Sequence, residues 1–218
     1  MATFAEIKAG ADDSKEVRKV LEAVAFLLPM SVTLPATIFG PDGALAELPD
    51  GAVPIGMVSR DGYQFTTEVE KADVDAFGYS DPVRTDYIRA PRQITFTMLQ
   101  SLRRELVQFT NAVDLSGITA GVNGEIVFDE PPIPQPDEHR LLLIGKDGFA
   151  DSEILQGRGY GRVKLAEIPE QAWASEDPQQ YPCTLDVLLD TDLGTPVRHY
   201  IGGKGFDATA YGYGPVTP

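Results

Sequence analysis

Twenty-one glycines and seventeen prolines are scattered through all 218 residues of this chain, and that punctuation limits the fold more than any other feature. Proline lacks the backbone donor that helix and central strand both require, and glycine costs conformational entropy inside either, so few uninterrupted stretches are long enough for a helical bundle. Many short strands joined by turns fit the spacing. "PPIPQPDEH", with four prolines in six residues, forms a rigid connector that excludes helix and sheet alike.

Between the breaks, the period of the apolar residues assigns the elements. "RQITFTMLQ" alternates, with Ile94, Phe96 and Met98 on one face of a strand. In "IGMVSRDGYQFTTEVEK" the "RDG" triplet predicts a hairpin turn. Its second arm places Tyr63, Phe65, Thr67 and Val69 on an apolar face and Gln64, Thr66, Glu68 and Glu70 on a polar one. "HRLLLIG", "GYGRVKLAEI", "CTLDVLLD" and "VRHYIGG" complete the strands. The period changes only in "SLRRELVQFTNAV", where Leu102, Leu106, Phe109 and Val113 form a helical stripe with Ser101 as cap. "DDSKEVRKVLEA" also shows a helical pattern, with Asp13 or Ser14 as cap and Val17, Val20 and Leu21 on one face, whereas "AVAFLL" after it suits a strand at least as well.

The chain therefore reads as mainly β: an antiparallel β-sandwich or partly closed barrel with one flanking α-helix and extended arms or loops. One domain spans residues 1–218, with an N-terminal arm over about 1–18, a long loop over about 30–54 and a C-terminal extension over about 203–218. The loop carries Pro35, Pro41, Pro49 and Pro54, and loops of that length in a compact domain are usually functional or disordered. It and the termini are expected to gain order only from neighbouring copies.

The residues that could carry chemistry match the common site motifs poorly. "DVDAFGYSDPVR" opens like a calcium loop, but the fifth position is Phe77 and the closing twelfth is Arg84, where the ion needs oxygen ligands. Cys183 is the single cysteine, so an intramolecular disulfide and a multi-cysteine zinc site are both impossible, and His139 and His199 are too few for a histidine-rich one. A Cys183 nucleophile served by His139 or His199 stays open, against the plainer reading of "YPCTLDVLL" as a buried strand in which the cysteine is a small core side chain. "GRGYGR" has Arg162 where a dinucleotide fingerprint needs glycine, "YIGGKGF" lacks the earlier P-loop glycine, and "GFADSE" is not a nucleophile elbow. Asp186, Asp190 and Asp192 in "DVLLDTDLG" are candidates for a hard cation or for acid–base work, against the plainer reading of a solvated strand end and turn. No cofactor is expected.

The formal net charge is −15 and the sequence pI about 4.4. That argues against binding nucleic acid by neutralising its phosphates, but not against letting it pass without adhesion. The N-terminus lacks the basic start and apolar run of a signal peptide, and "AVAFLLPM" is too short to cross a bilayer, so synthesis in the cytoplasm without membrane anchoring is expected.

The order "EAVAFLLP", a proline-bearing loop, "IGMVSRDGYQF", "EKADVDAFGYSDPVRTDYI" and "ITFTMLQSLRRELVQFTNA" resembles the major tail tube proteins of long-tailed (siphovirus-like) bacteriophages, especially those infecting actinobacteria, over about Glu22 to Val113. Phe77 stands before Gly78 where that family often has tryptophan. The resemblance implies a structural virion protein that self-assembles into hexameric rings stacked as a hollow tail tube. The tube would work with a tape measure protein and tail-completion proteins, be built in the host cytoplasm, and eject DNA through its lumen without specific binding. "DVDAFGYSDPVR" is then an inter-subunit loop, with Phe77 and Tyr79 as anchors and Arg84 as ion-pair partner. The competing arrangement folds both rings back onto their own core. Gln64, Thr66, Glu68 and Glu70 become candidates for an acidic lumen wall, or else face outer solvent. Two other functional classes stay open: a soluble acidic β-sandwich module binding carbohydrate or depending on calcium, and a hydrolase using Asp190 and Asp192.

Overall fold

A computed structural model describes residues 3–12, 14–100 and 102–214. Its elements in chain order are α1 (Phe4–Ala11), β1 (Glu22–Pro29), β2 (Val53–Pro54), β3 (Gln64–Thr67), β4 (Glu70–Val74), β5 (Arg84–Arg89), β6 (Arg92–Met98), α2 (Arg104–Asn111), β7 (Glu138–Asp147), β8 (Ile154–Leu165), β9 (Tyr181–Val187) and β10 (Val197–Gly202). The fold is β-rich with antiparallel pairing throughout, as the alternation predicts.

The main sheet runs β2-β1-β7-β8-β9-β6-β3, with β10 also paired to β8. β8 explains how one sheet makes two layers. Its first half lies between β7 and β10, with Val197 opposite Tyr160, and its second half trades β10 for β9, with Val187 opposite Val163. At the change, Gly161 and Arg162 together oppose Arg140, a β-bulge that brings Tyr160 and Val163 to the same face. A strand that bends at a bulge and changes partners is how a sheet turns the corner of a sandwich.

The main core fills the space between the layers: Ala25, Leu27, Leu141 and Leu143 from one, Ile94, Phe96, Cys183 and Leu185 from the other. Helix α2 adds Leu106 and Phe109 and stops at Ala112, whose left-handed φ of 50° directs its N–H back to Gln108 O. The sequence placed this helix correctly but extended its stripe too far. Leu102 precedes the first turn and is 95% exposed, and Ser101 lies outside the described residues.

Residues 30–54 overturn an expectation. Leu34 and Ile38 are buried against Leu28, Leu142, Ile144 and Tyr200 on the outer face of the β1-β7-β8-β10 layer, forming a second core within the chain itself. The hydroxyl of Tyr200 donates to Pro35 O at 2.7 Å and Arg198 Nη1 donates to the same oxygen at 3.1 Å. No neighbour is needed to order this part of the loop. The arrangement also explains why "RLLLIG" does not alternate: β7 is covered on both faces.

Two further segments differ from what their sequence pattern predicts. Residues 17–21 have no regular structure after a single 3-10 turn at Ser14–Glu16, so the helix expected across "DDSKEVRKVLEA" does not form, and its candidate cap Asp13 lies outside the described residues. The "RDG" triplet is not a hairpin turn either. Val58 bridges Met98 and Gln64 opposes Thr95, both on the same edge of β6, so residues 59–63 form a bulge with three extra residues within one edge segment.

Candidate assembly interface

The strand expected from Tyr63 to Glu70 is two pieces with different destinations. β3 stays on the edge of β6 and ends at Thr67, where the Glu68 N–H donates to Pro91 O at 3.0 Å. Gln64 and Thr66 lie exposed on β3, Glu68 lies in the link, and Glu70 opens β4, where Arg89 Nη1 stands 3.4 Å from its Oε1. The four polar candidates therefore do not share one strand face. The opposite face meets the core at Tyr63, whose ring lies 5.4 Å from that of Phe96, but not beyond it: Phe65 stacks on Tyr160 at 6.4 Å yet is exposed, as are Thr67 and Val69.

Among the described residues β4 and β5 pair only with each other, as a two-stranded sheet separate from the sandwich. The hairpin is held by local polar contacts. Thr85 Oγ1 donates to Asp73 Oδ1 at 2.6 Å, Arg84 Nε lies 2.8 Å from Asp86 Oδ2, and Lys71 Nζ sits 5.5 Å over the Tyr87 ring. At the tip the Val83 N–H donates to Val74 O, and Gly78 takes a φ of +87°, which a side chain would strain. Phe77 (105% relative exposure) and Tyr79 (74%) stand in solvent, as do Val74, Val83, Tyr87 and Ile88. The rings do not fold back onto their own core, and Arg84 is paired within its own hairpin. An isolated two-stranded hairpin is at best marginally stable in water, so this one presents apolar surface that its own domain does not cover.

The residues considered for chemistry have structural roles. Asp190, 4% exposed in its side chain, forms a buried ion pair between its Oδ2 and Nη1 of Arg140, and its Oδ1 accepts from the N–H groups of Asp192 at 2.9 Å and Leu193 at 3.4 Å. Burial opposes ionisation of Asp190, but the two N–H donors and the guanidinium outweigh it and hold the carboxyl below its ordinary range. Beside this pair, Arg162 makes two 2.7 Å bonds to Glu138, which also lowers that carboxyl. Both pairs brace the β8 bulge, and a Cβ at Gly161 would lie 2.6 Å from Asp190 Cβ. The other glycines of "GRGYGR" have a packing cause too: a Cβ at Gly157 would meet Ile38 Cδ1 at 2.7 Å. Cys183 packs against Met98, and burial pushes its thiol up to about 12, which leaves no thiolate to act as nucleophile near neutral pH.

Some exposed apolar groups escaped the sequence reading. Helix α1 displays Phe4 and Ile7, and its signal was present in Thr3 and Glu6, which form a capping box. Trp173, 86% exposed, lies in a connector with no periodicity to mark it. No helix among the described residues is long and apolar enough to cross a membrane, and no cluster of three or more potential metal ligands occurs among them.

No known family profile and no curated protein matches this chain. Among solved structures, it shows a likeness to a chain from the cryo-EM structure of an extracellular contractile injection system, the PVC sheath-tube complex in its extended state. The TM-score is 0.40 at 10% identity, over 91% of this chain and 98% of that one.

Proposed function

We propose that this protein is a structural tail tube subunit that assembles with copies of itself. The observation that carries the reading is the β4–β5 hairpin, a projecting element whose exposed Phe77 and Tyr79 have no use in an isolated domain. Two other features support it. The main sheet leaves β3 at one edge and β10 paired only to β8, so strand edges are available to a neighbour. The acidic residues that a hydrolase or a calcium site would use are engaged, Asp190 by Arg140 and Asp73 by Thr85.

In this reading six copies close a ring, rings stack into the tail tube of a siphovirus-like virion, and subunits are made in the host cytoplasm before assembly with tape measure and tail-completion proteins. Six copies carry a formal charge of about −90, a field that keeps ejected DNA hydrated and off the wall. Gln64, Thr66 and Glu68 are the polar groups at or near the β3 edge proposed to face the lumen, with Glu70 where the hairpin departs. Negative-stain microscopy with light scattering of the purified protein tests the reading. Rings or tubes are expected, and a monodisperse monomer at every concentration and salt condition refutes it.

A further inference from the structure

The open end of the sandwich, between the free edges of β3 and β10, forms a slot. Phe65, Thr67, Arg92, Arg158, Tyr160 and His199 line its narrower part, of about 270 Å³. The slot continues through Phe65, Arg158 and His199 into a cleft of about 640 Å³ that reaches Tyr63 and Ile201. Its floor is an aromatic and cationic cluster: Phe65 is stacked on Tyr160, carries the Arg158 guanidinium over its ring at 3.9 Å from the centroid, and is still 39% exposed. The Tyr63 hydroxyl is buried without a partner.

In the narrower part the charge is opposite to that of the molecule, whereas the wider cleft also carries Glu22 and Asp61. The chain has 33 acidic residues and 18 Lys or Arg, yet no carboxylate lines the narrower part. Among the described residues, neither Arg92 nor Arg158 forms an ion pair. Arg92 donates to Ala90 O and Arg158 covers the partly exposed Phe65 ring, and two such arginines without a carboxylate partner suit an acidic partner that brings aromatic rings. The protein displays such a group itself. The hairpin tip over residues 73–83 carries Asp73, Asp75 and Asp81, no Lys or Arg, and the exposed rings of Phe77 and Tyr79.

We infer that the slot between β3 and β10 receives the hairpin tip of a second copy of this chain, with its aromatic rings against Phe65 and its carboxylates facing Arg92 and Arg158. The inference rests on the self-assembly reading above and adds the acceptor to it. Donor and acceptor are different surfaces, so the contact is heterologous, and repeating it generates a closed ring or an open filament.

Ser80→Cys, at the same hairpin tip and labelled with a thiol-reactive benzophenone, tests this directly while keeping both aromatic rings, because the one native cysteine, Cys183, is buried. Labelled protein is mixed with an equal amount of ¹⁵N protein under assembly conditions, irradiated, and its mixed-isotope cross-linked peptides are mapped. Cross-links to the segments bearing Phe65, Arg158 or His199 are expected. Arg158→Glu, checked for folding by its melting curve, should lower their yield about tenfold by placing an anion before the tip's carboxylates. Mixed-isotope cross-links confined to another surface overturn the slot while leaving self-assembly standing, as do rings or tubes without any such cross-links. A protein that stays monomeric overturns both.

Discussion

Replacing Asp190 with alanine removes the buried counter-ion of Arg140 from a site where the two side chains are only 4% and 5% exposed, leaving the exposed Asp192 carboxylate at 4.0 Å as its remaining partner. The remaining guanidinium would be a buried cation whose Nε already has no acceptor, and the N–H groups of Asp192 and Leu193 would lose theirs. Breaking a buried ion pair from one side costs about 3–5 kcal/mol, most of it the penalty of the charge left behind. In a domain of this size that lowers the melting temperature by roughly 6–20 °C. Arg140→Met alone should cost a comparable amount. Arg140→Met combined with Asp190→Leu should recover most of the loss, because no unpaired charge remains. Thermal melting followed by circular dichroism measures all three variants. The pair's role in bracing the β8 bulge is refuted if Asp190→Ala melts within a degree or two of the parent, or if the double variant loses the sum of the single losses.

Phe77→Ala with Tyr79→Ala should leave the melting temperature within about 2 °C of the parent, since neither ring packs on its own domain, while light scattering shows loss of assembly. Stability should fall on acidification. Asp190 and Glu138 are held below their ordinary values of 3.8 and 4.5, so their contribution is complete above those values and lost as the pH falls through the lowered ones; an Asp190→Asn variant should show a shallower decline in denaturant titrations between pH 5 and 2. Cys183, raised to about 12, should react with a thiol reagent at pH 8 only as fast as the chain unfolds, and a rapid native-state reaction would contradict its burial. Chelation should not shift the melt, because Asp73 is bonded to Thr85 and Asp190 to Arg140.

What could be read from the sequence follows its periodicity. Ile94, Phe96 and Met98 alternate because one face of β6 meets the core, and Leu106 and Phe109 repeat at helical spacing because α2 lies on the same core. The sandwich and its flanking helix were legible for that reason. Residues 30–54 were misjudged because Leu34 and Ile38 are separated by turn residues and pack on strands more than a hundred positions away, a contact no local pattern records. The "RDG" bulge looked like a hairpin turn because both place glycine at a positive φ, and only pairing with β6 separates them. At the candidate interface, the exposed aromatics of "DAFGYSD" were visible as an anomaly. Their acceptor was not, since Phe65, Arg92, Arg158 and His199 come from four strands and meet only at the open end of the sandwich.

Cryo-EM of the purified, concentrated protein tests the central claim most directly. The account predicts rings or stacked tubes in which each β4–β5 hairpin leaves its own domain and buries Phe77 and Tyr79 against a neighbouring copy. Particles that are monomeric throughout, or assemblies in which those two rings remain in solvent, would contradict it.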